Sequence, residues 1–169
     1  MNGERNRKGK VYYKKGKLKF EGEYLKGKRN GKGKEYNYEG ELKFEGVYLN
    51  GKRNEEGKEY YKNGKLEFEG LYLNGGRNGK GKEYNYEGEL IFEGEFLNGK
   101  RWKGKGKEYN YGGELKFEGE YLNGKRWNGK GKEYNYEGEL KFEGEYLNGK
   151  KLNEKEKNIT SMQGTKKNI

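Results

Sequence analysis

Phe-Glu-Gly occurs six times in this chain, starting at Phe20, Phe44, Phe68, Phe92, Phe117 and Phe142, at successive spacings of 24, 24, 24, 25 and 25 residues. A sequence that returns to itself at a short fixed period folds as stacked copies of one supersecondary unit, each burying its apolar side against its neighbours. Five full units run from Phe20 to Lys141, while Asn2–Lys19 matches the back half of a unit and Phe142–Lys150 the front half. The expected organisation is therefore a basic N-terminal half repeat (1–19), five full repeats (20–141), a C-terminal half repeat (142–150) and a tail (151–169) expected to be disordered.

Inside each unit the polarity alternates with a period of two. In Leu42-Lys-Phe44-Glu-Gly46-Val-Tyr48 the Leu, Phe, Gly and Tyr share one face, and Tyr36 and Tyr38 alternate likewise in the second segment. Asn63-Gly64 is read as a two-residue hairpin turn, with Glu39-Gly40 in the same place elsewhere, and Gly27–Gly31 as a longer loop. A helix is excluded by glycines every few residues and by the lack of a 3.6-residue period. The fold class follows: all-β, an elongated single-layer antiparallel meander of stacked β-hairpins. Twelve strands are expected, about 55–60 Å of rod at the usual strand spacing. The extra residue of the 25-residue repeats, in Arg101–Gly104 and Arg126–Gly129, is assigned to the longer loop, because an insertion within a strand would swap its faces. Mid-strand glycines such as Gly22 and Gly46 are expected to lie beneath an aromatic ring of a neighbouring strand.

Composition says what kind of core this can be. Leu, Ile, Val and Phe together number 26 of 169 residues, too few for a deep aliphatic interior, but 17 Tyr, 7 Phe and 2 Trp can cover one face of a sheet. The chain has no Cys, His, Asp, Ala or Pro. That removes disulfides, thiol and imidazole chemistry, and most transition-metal sites. The glutamates recur in every repeat instead of marking one place. A non-enzymatic protein without catalytic residues, cofactor or metal is the expectation. Met1–Lys19 has no signal-peptide pattern and no apolar run approaches 18 residues, so the expected location is cytoplasmic, including association with a membrane or the cytoskeleton.

The formal charge of +11 is concentrated at the N-terminus: residues 1–19 carry +7 and the five repeats only +2. A nearly neutral repeat body argues against nucleic acid, although Tyr and Lys interleave. Within a repeat the signs separate. Gly27–Lys34 is basic, the Tyr38–Glu45 region is mainly acidic, and stacking would align each into an edge interrupted by Glu55-Glu56 and by Gly76.

The spacing Phe20-Glu21-Gly22-Glu23-Tyr24, Gly27-Lys28-Arg29, Gly31-Lys32-Gly33 resembles the membrane occupation and recognition nexus (MORN) repeat, with Phe in place of the leading Tyr. The resemblance extends from Asn2 to Lys150. Lys58–Gly70 is also similar to the variant found in bacterial antitoxin-like proteins. It implies a rod of hairpins used for protein association, sometimes dimerisation, with lipid contact also attributed to the family. Enzymes of the family carry a separate catalytic domain.

Two functions follow as expectations. The first is a scaffold binding another protein or a second copy of itself, with Tyr24, Tyr36, Tyr48, Tyr72, Tyr84, Tyr121 and Tyr134 as partner-binding candidates. The alternative is a peripheral membrane module whose Lys28, Arg29, Lys52, Arg53, Lys100, Arg101, Lys125 and Arg126 meet anionic headgroups.

Overall fold

Period-two alternation bounded by glycine turns produces strands throughout the computed structural model, which describes residues 7–110, 113–135 and 137–152. The chain divides into two compact units, residues 1–101 and 102–169. The first holds β1 (Arg7–Tyr12), β2 (Leu18–Leu25), β3 (Lys28–Tyr36), β4 (Leu42–Leu49), β5 (Lys52–Tyr60), β6 (Leu66–Leu73), β7 (Gly76–Tyr84) and β8 (Leu90–Leu97). After β9 (Lys100–Tyr109), the second continues with β10 (Leu115–Leu122), β11 (Lys125–Tyr134), β12 (Leu140–Leu147) and β13 (Lys150–Leu152). From β1 to β8, and again from β9 to β13, each strand pairs antiparallel with the next. The described residues contain no helix. This is the all-β meander of hairpins that the repeat implies, with one strand more than expected. β13 takes in Lys151 and Leu152 from the tail, while residues 153–169 lie outside the described residues.

The two kinds of connection are the reverse of the sequence reading. Leu49 pairs with Lys52, so the supposed longer loop is a two-residue turn, Asn50-Gly51, with both residues left-handed at φ 50° and 89°. Consecutive positive φ values are what a type I′ hairpin demands, and Asn-Gly supplies them at least cost. The connection containing Asn63-Gly64 spans five residues between Tyr60 and Leu66, closed by Tyr61 N–H to Lys65 O at 2.9 Å. In its counterpart the Asn37 side chain accepts from the amides of Glu39 and Glu41.

Among the described residues no second layer covers the rings of the sheet, and paired glycines take its place. Gly22 faces Gly33 across β2 and β3, and the Phe20 ring lies flat over both. A Cβ added at Gly33 would stand 2.5 Å from Phe20 Cζ, and one at Gly22 2.8 Å from the same atom. Over Gly22 the ring therefore belongs to the same strand, two residues back, and only over Gly33 to the neighbouring strand that was expected. Phe20, Phe44, Phe68, Phe92 and Phe117 are all at most 1% exposed. Their sides are closed by tyrosines set edge-on: Phe20 meets Tyr24 at 5.6 Å and Tyr48 at 5.2 Å, with ring planes at 85° and 88°. Edge-to-face is the orientation favoured by the ring quadrupoles.

The additional residue of the longer repeats lies within a strand rather than in a loop, and β9 and β11 have ten residues where β3, β5 and β7 have nine. Between Gly22↔Gly33 and Tyr24↔Arg29, three residues of β3 oppose Glu23 alone. Between Glu120↔Asn128 and Tyr121↔Arg126, only Trp127 is unpaired, and Gly119 faces Gly129, the first glycine of Gly-Lys-Gly, instead of the second. The register has slipped by two, and an even slip keeps every side chain on its own face.

Gly57→Ala is expected to lose about 1–3 kcal/mol by overpacking, because its Cβ would stand 2.6 Å from Phe44 Cζ. Gly76→Ala, with nothing closer than 3.9 Å, is the neutral control. At the bulge Glu55 is held at φ 57°, where Gly31 and Gly79 stand at 97° and 95°. Relief of that strain should make Glu55→Gly more stable by about 0.5–1 kcal/mol. Urea midpoints of the three variants check all three statements.

Candidate interaction surfaces

Alternation puts Arg29 and Glu35 of β3 on the same face as the Phe row. The Arg29 guanidinium stacks 4.1 Å above the Phe20 ring centre, and Arg53 lies 4.0 Å above Phe44. Arg77, Arg101 and Arg126 take the same place over Phe68, Phe92 and Phe117 at 4.5, 5.1 and 5.0 Å. A cation over a ring face is attracted by the quadrupole, and its carbon plane covers the ring. Each arginine is held in turn by carboxylates. Arg29 reaches Glu35 at 2.6 Å, Arg53 bridges Glu35 (2.8 Å) and Glu59, and Arg77 bridges Glu59 and Glu83 (3.4 Å). Arg101 closes on Glu83 at 2.7 Å. Alternating charges thus run across the first unit. In the second, Arg126 joins Glu108 at 2.6 Å, and Lys151 joins Glu133 at 2.5 Å.

These groups are only 16–25% exposed in the first unit's ladder of Arg29, Glu35, Arg53, Glu59, Arg77, Glu83 and Arg101. Burial resists ionisation of Glu35, but the hydrogen bond and charge of Arg53 outweigh it and hold the carboxyl below its ordinary range. Burial likewise works against the charge on Arg53 and Arg77, and their glutamates more than restore it. The hydroxyls of Tyr24, Tyr48 and Tyr72 are buried without a hydrogen bond of ordinary geometry. Burial, and then the charge of nearby Glu35, raises the Tyr48 pKa. In the second unit the matching Tyr121 and Tyr146 hydroxyls donate to Glu108 and Glu133, both at 2.6 Å.

The opposite face is built from weaker elements. Lys34–Glu45 (3.2 Å), Lys58–Glu69 (3.6 Å) and Lys132–Glu143 (3.1 Å) pair across strands in the open, where such pairs contribute little. Tyr36, Tyr60 and Tyr84 donate to Glu21, Glu45 and Glu69 at 2.7, 2.6 and 2.9 Å. Burial and the adjacent carboxylate push each of these phenols up to about 12. Their hydrogen bonds are in turn the main reason Glu21 and Glu45 titrate low.

The seven tyrosine candidates therefore do not form one surface. Tyr24, Tyr48, Tyr72 and Tyr121 belong to the Phe row, where Tyr48, Tyr72 and Tyr121 are 2%, 3% and 6% exposed and leave a partner little to touch. Tyr36 and Tyr84 lie on the opposite face, and Tyr134 is half-buried at the same place in β11. The basic candidates divide too. Lys28, Lys52, Lys100 and Lys125 are exposed beside the tight turns, but Arg29, Arg53, Arg101 and Arg126 are folded over the rings. A sequence signal for this existed: the Lys position tolerates Gly76, whereas the next is Arg in all five repeats.

What the opposite face exposes is aliphatic. Leu49, Leu73 and Leu97, each just before an Asn-Gly turn, are 50%, 53% and 41% exposed, and Leu71 is 38% exposed. Val47 and Leu71 stand where other repeats have Glu23 or Glu95. Among the described residues there is no metal-ligating cluster, and no helix long and apolar enough to cross a membrane. No protein-family model matches the chain, and no curated protein matches it.

Carboxylates that titrate below 4.5 when folded stabilise the fold above that pH and lose the contribution as pH falls. The melting temperature should therefore be level near neutrality and drop below about pH 4.5. The phenols act with opposite sign, stabilising below pH 10 and losing the contribution as pH rises through 12. Glu35→Gln should cost about 1–3 kcal/mol at pH 7 and give a shallower acid limb, measured by thermal melts from pH 3 to 8.

Proposed function

We propose that this chain is a non-enzymatic, MORN-type repeat scaffold that associates with another protein or with a second copy of itself. The MORN assignment rests on the Phe-Glu-Gly, Gly-Lys-Arg and Gly-Lys-Gly spacing. The observation that carries the association reading is the contrast between the faces. On the aromatic face rings, guanidinium groups and carboxylates satisfy one another, while the opposite face of the first unit exposes Leu49, Leu71, Leu73 and Leu97. Clustered exposed aliphatics on a sheet rimmed by charge are the usual marks of a protein contact. The contact surface is thus the leucine face, and the tyrosines serve mainly to build the sheet.

A second reading, contact with anionic lipid, is favoured by one observation: exposed Lys52 and Lys100 adjoin the turns that Leu49 and Leu97 enter. The two separate in one set of measurements. Leu49→Ser with Leu73→Ser should leave the melting temperature within about 1 °C, since exposed substitutions cost little, and abolish partner capture or self-association. Lys28, Lys52, Lys100 and Lys125 changed to Gln should leave capture intact. Binding of wild type to phosphatidylserine vesicles at physiological salt, lost in the Lys variant, would overturn the scaffold reading in favour of the lipid one.

A further inference from the structure

β1 is an edge strand whose second side has no partner among the described residues. The rest of the first unit shows what such a strand ordinarily meets there. β3, β5 and β7 belong to the same basic class, and each is flanked on both sides by a Phe-Glu-Gly strand. From the preceding strand each receives two things. A Phe ring is laid over its central glycine, as Phe20 lies on Gly33, and a Glu accepts its terminal tyrosine hydroxyl, as Glu21 accepts Tyr36.

At β1 both receiving places exist, and no described residue fills either. Gly9 occupies the position of Gly33 and Gly57. A Cβ there would meet Tyr24 at 3.1 Å, matching Tyr48 at 3.2 Å over Gly33 and Tyr72 at 3.1 Å over Gly57. The Phe that presses to 2.5 Å on Gly33 and 2.6 Å on Gly57 has no counterpart. Tyr24 is accordingly half-buried, whereas Tyr48 and Tyr72 are 2–3% exposed. Tyr12 stands where Tyr36, Tyr60 and Tyr84 stand, is 55% exposed, and donates to no acceptor among the described residues. The arginine ladder, by contrast, is finished: Val11 replaces the glutamate of that position, so no unpaired carboxylate is left at the edge. Strand charge fits as well, since Arg7, Lys8 and Lys10 line β1, and Lys10 already pairs with Glu21 on the covered side at 3.5 Å.

Resting on the scaffold reading, we infer that the open edge of β1 is a docking site for an antiparallel strand of a partner protein carrying an aromatic-Glu-Gly sequence. The aromatic ring seats on Gly9 against Tyr24, the carboxylate takes the Tyr12 hydroxyl, the partner glycine faces Gly9, and backbone bonding extends the sheet. Charge complementarity with the basic N-terminus favours the encounter. A folded second copy is a poor occupant: β2, β4, β6 and β10 are paired on both sides, and β13 lies along β12 at Glu145–Leu147 with the Leu152 carbonyl oxygen 2.9 Å from where a Cβ on Gly144 would stand.

The test uses the full chain and a synthetic octapeptide, Leu-Lys-Phe-Glu-Gly-Glu-Tyr-Leu, the sequence of β2. Binding followed by fluorescence anisotropy should be saturable, and hydrogen exchange should show new protection confined to Arg7–Tyr12. Replacing the peptide Phe with Ala, or Tyr12→Phe in the protein, should each weaken binding about tenfold or more, the scale of one lost charged hydrogen bond or ring. Peptide N-methylated along one edge should bind only when the free edge faces β1. No binding, protection elsewhere in the chain, or indifference to Tyr12→Phe would each overturn the inference, as would self-association that the peptide competes away. The leucine-face variants report separately. Partner capture that survives those variants, with peptide binding intact, removes the leucine-face scaffold reading and keeps the edge site, and capture lost in them with no peptide binding removes only the edge site.

Discussion

A phenylalanine ring lying on two bare glycine backbones is the interaction from which the rest of this architecture follows. The ring needs Gly22 and Gly33 directly opposite each other, so the register of β2 and β3 is dictated by the contact. Once flat, the ring presents its upper face to Arg29 and its edges to Tyr24 and Tyr48. A single sheet thereby gains rings as buried as those of a two-layer domain, from a chain poor in aliphatic residues.

Charge is placed to suit that ring. A guanidinium is the cation that can cover an aromatic face and still offer in-plane donors to carboxylates on either side. Arg53 does this between Glu35 and Glu59, and Arg77 between Glu59 and Glu83. The half-buried ladder closes the aromatic face, whereas the leucine face and the β1 edge keep exposed apolar and polar groups. A chain with 40% charged residues uses the five arginines of its full repeats to cover rings and leaves its turn lysines in solvent.

The fold class and the burial of Phe were legible in the sequence, because a period of two and a period of 24 are both direct records of geometry. The turns were not read correctly. Asn63-Gly64 drew attention as a dipeptide, although Asn-Gly recurs before Lys at Asn50, Asn98, Asn123 and Asn148, the turns that are tight. The role of Arg was hidden for another reason: periodicity assigns a side chain to a face but does not say how far a long one bends over its neighbours. Nor does alternation separate Tyr48 from Tyr36 by function, since each lies on a face and only neighbouring chemistry distinguishes a ring in the core from one hydrogen-bonded to Glu21.

The seats of Phe20, Phe44, Phe68 and Phe117 each span three strands: Phe20 on β2 rests on β3 and touches Tyr48 on β4. The seat therefore crosses the line between one sequence repeat and the next, and no hairpin completes one alone. A gain or loss of any whole period splices together halves that already fit, whichever point in the period the break falls. A gain or loss of half a period brings two strands of the same class together, either two basic strands with no ring between them or two Phe strands whose rings compete for one pair of glycines. Genes encoding such arrays can lengthen or shorten through recombination between their own copies, and each product of a whole-period exchange inherits a finished core without a compensating mutation.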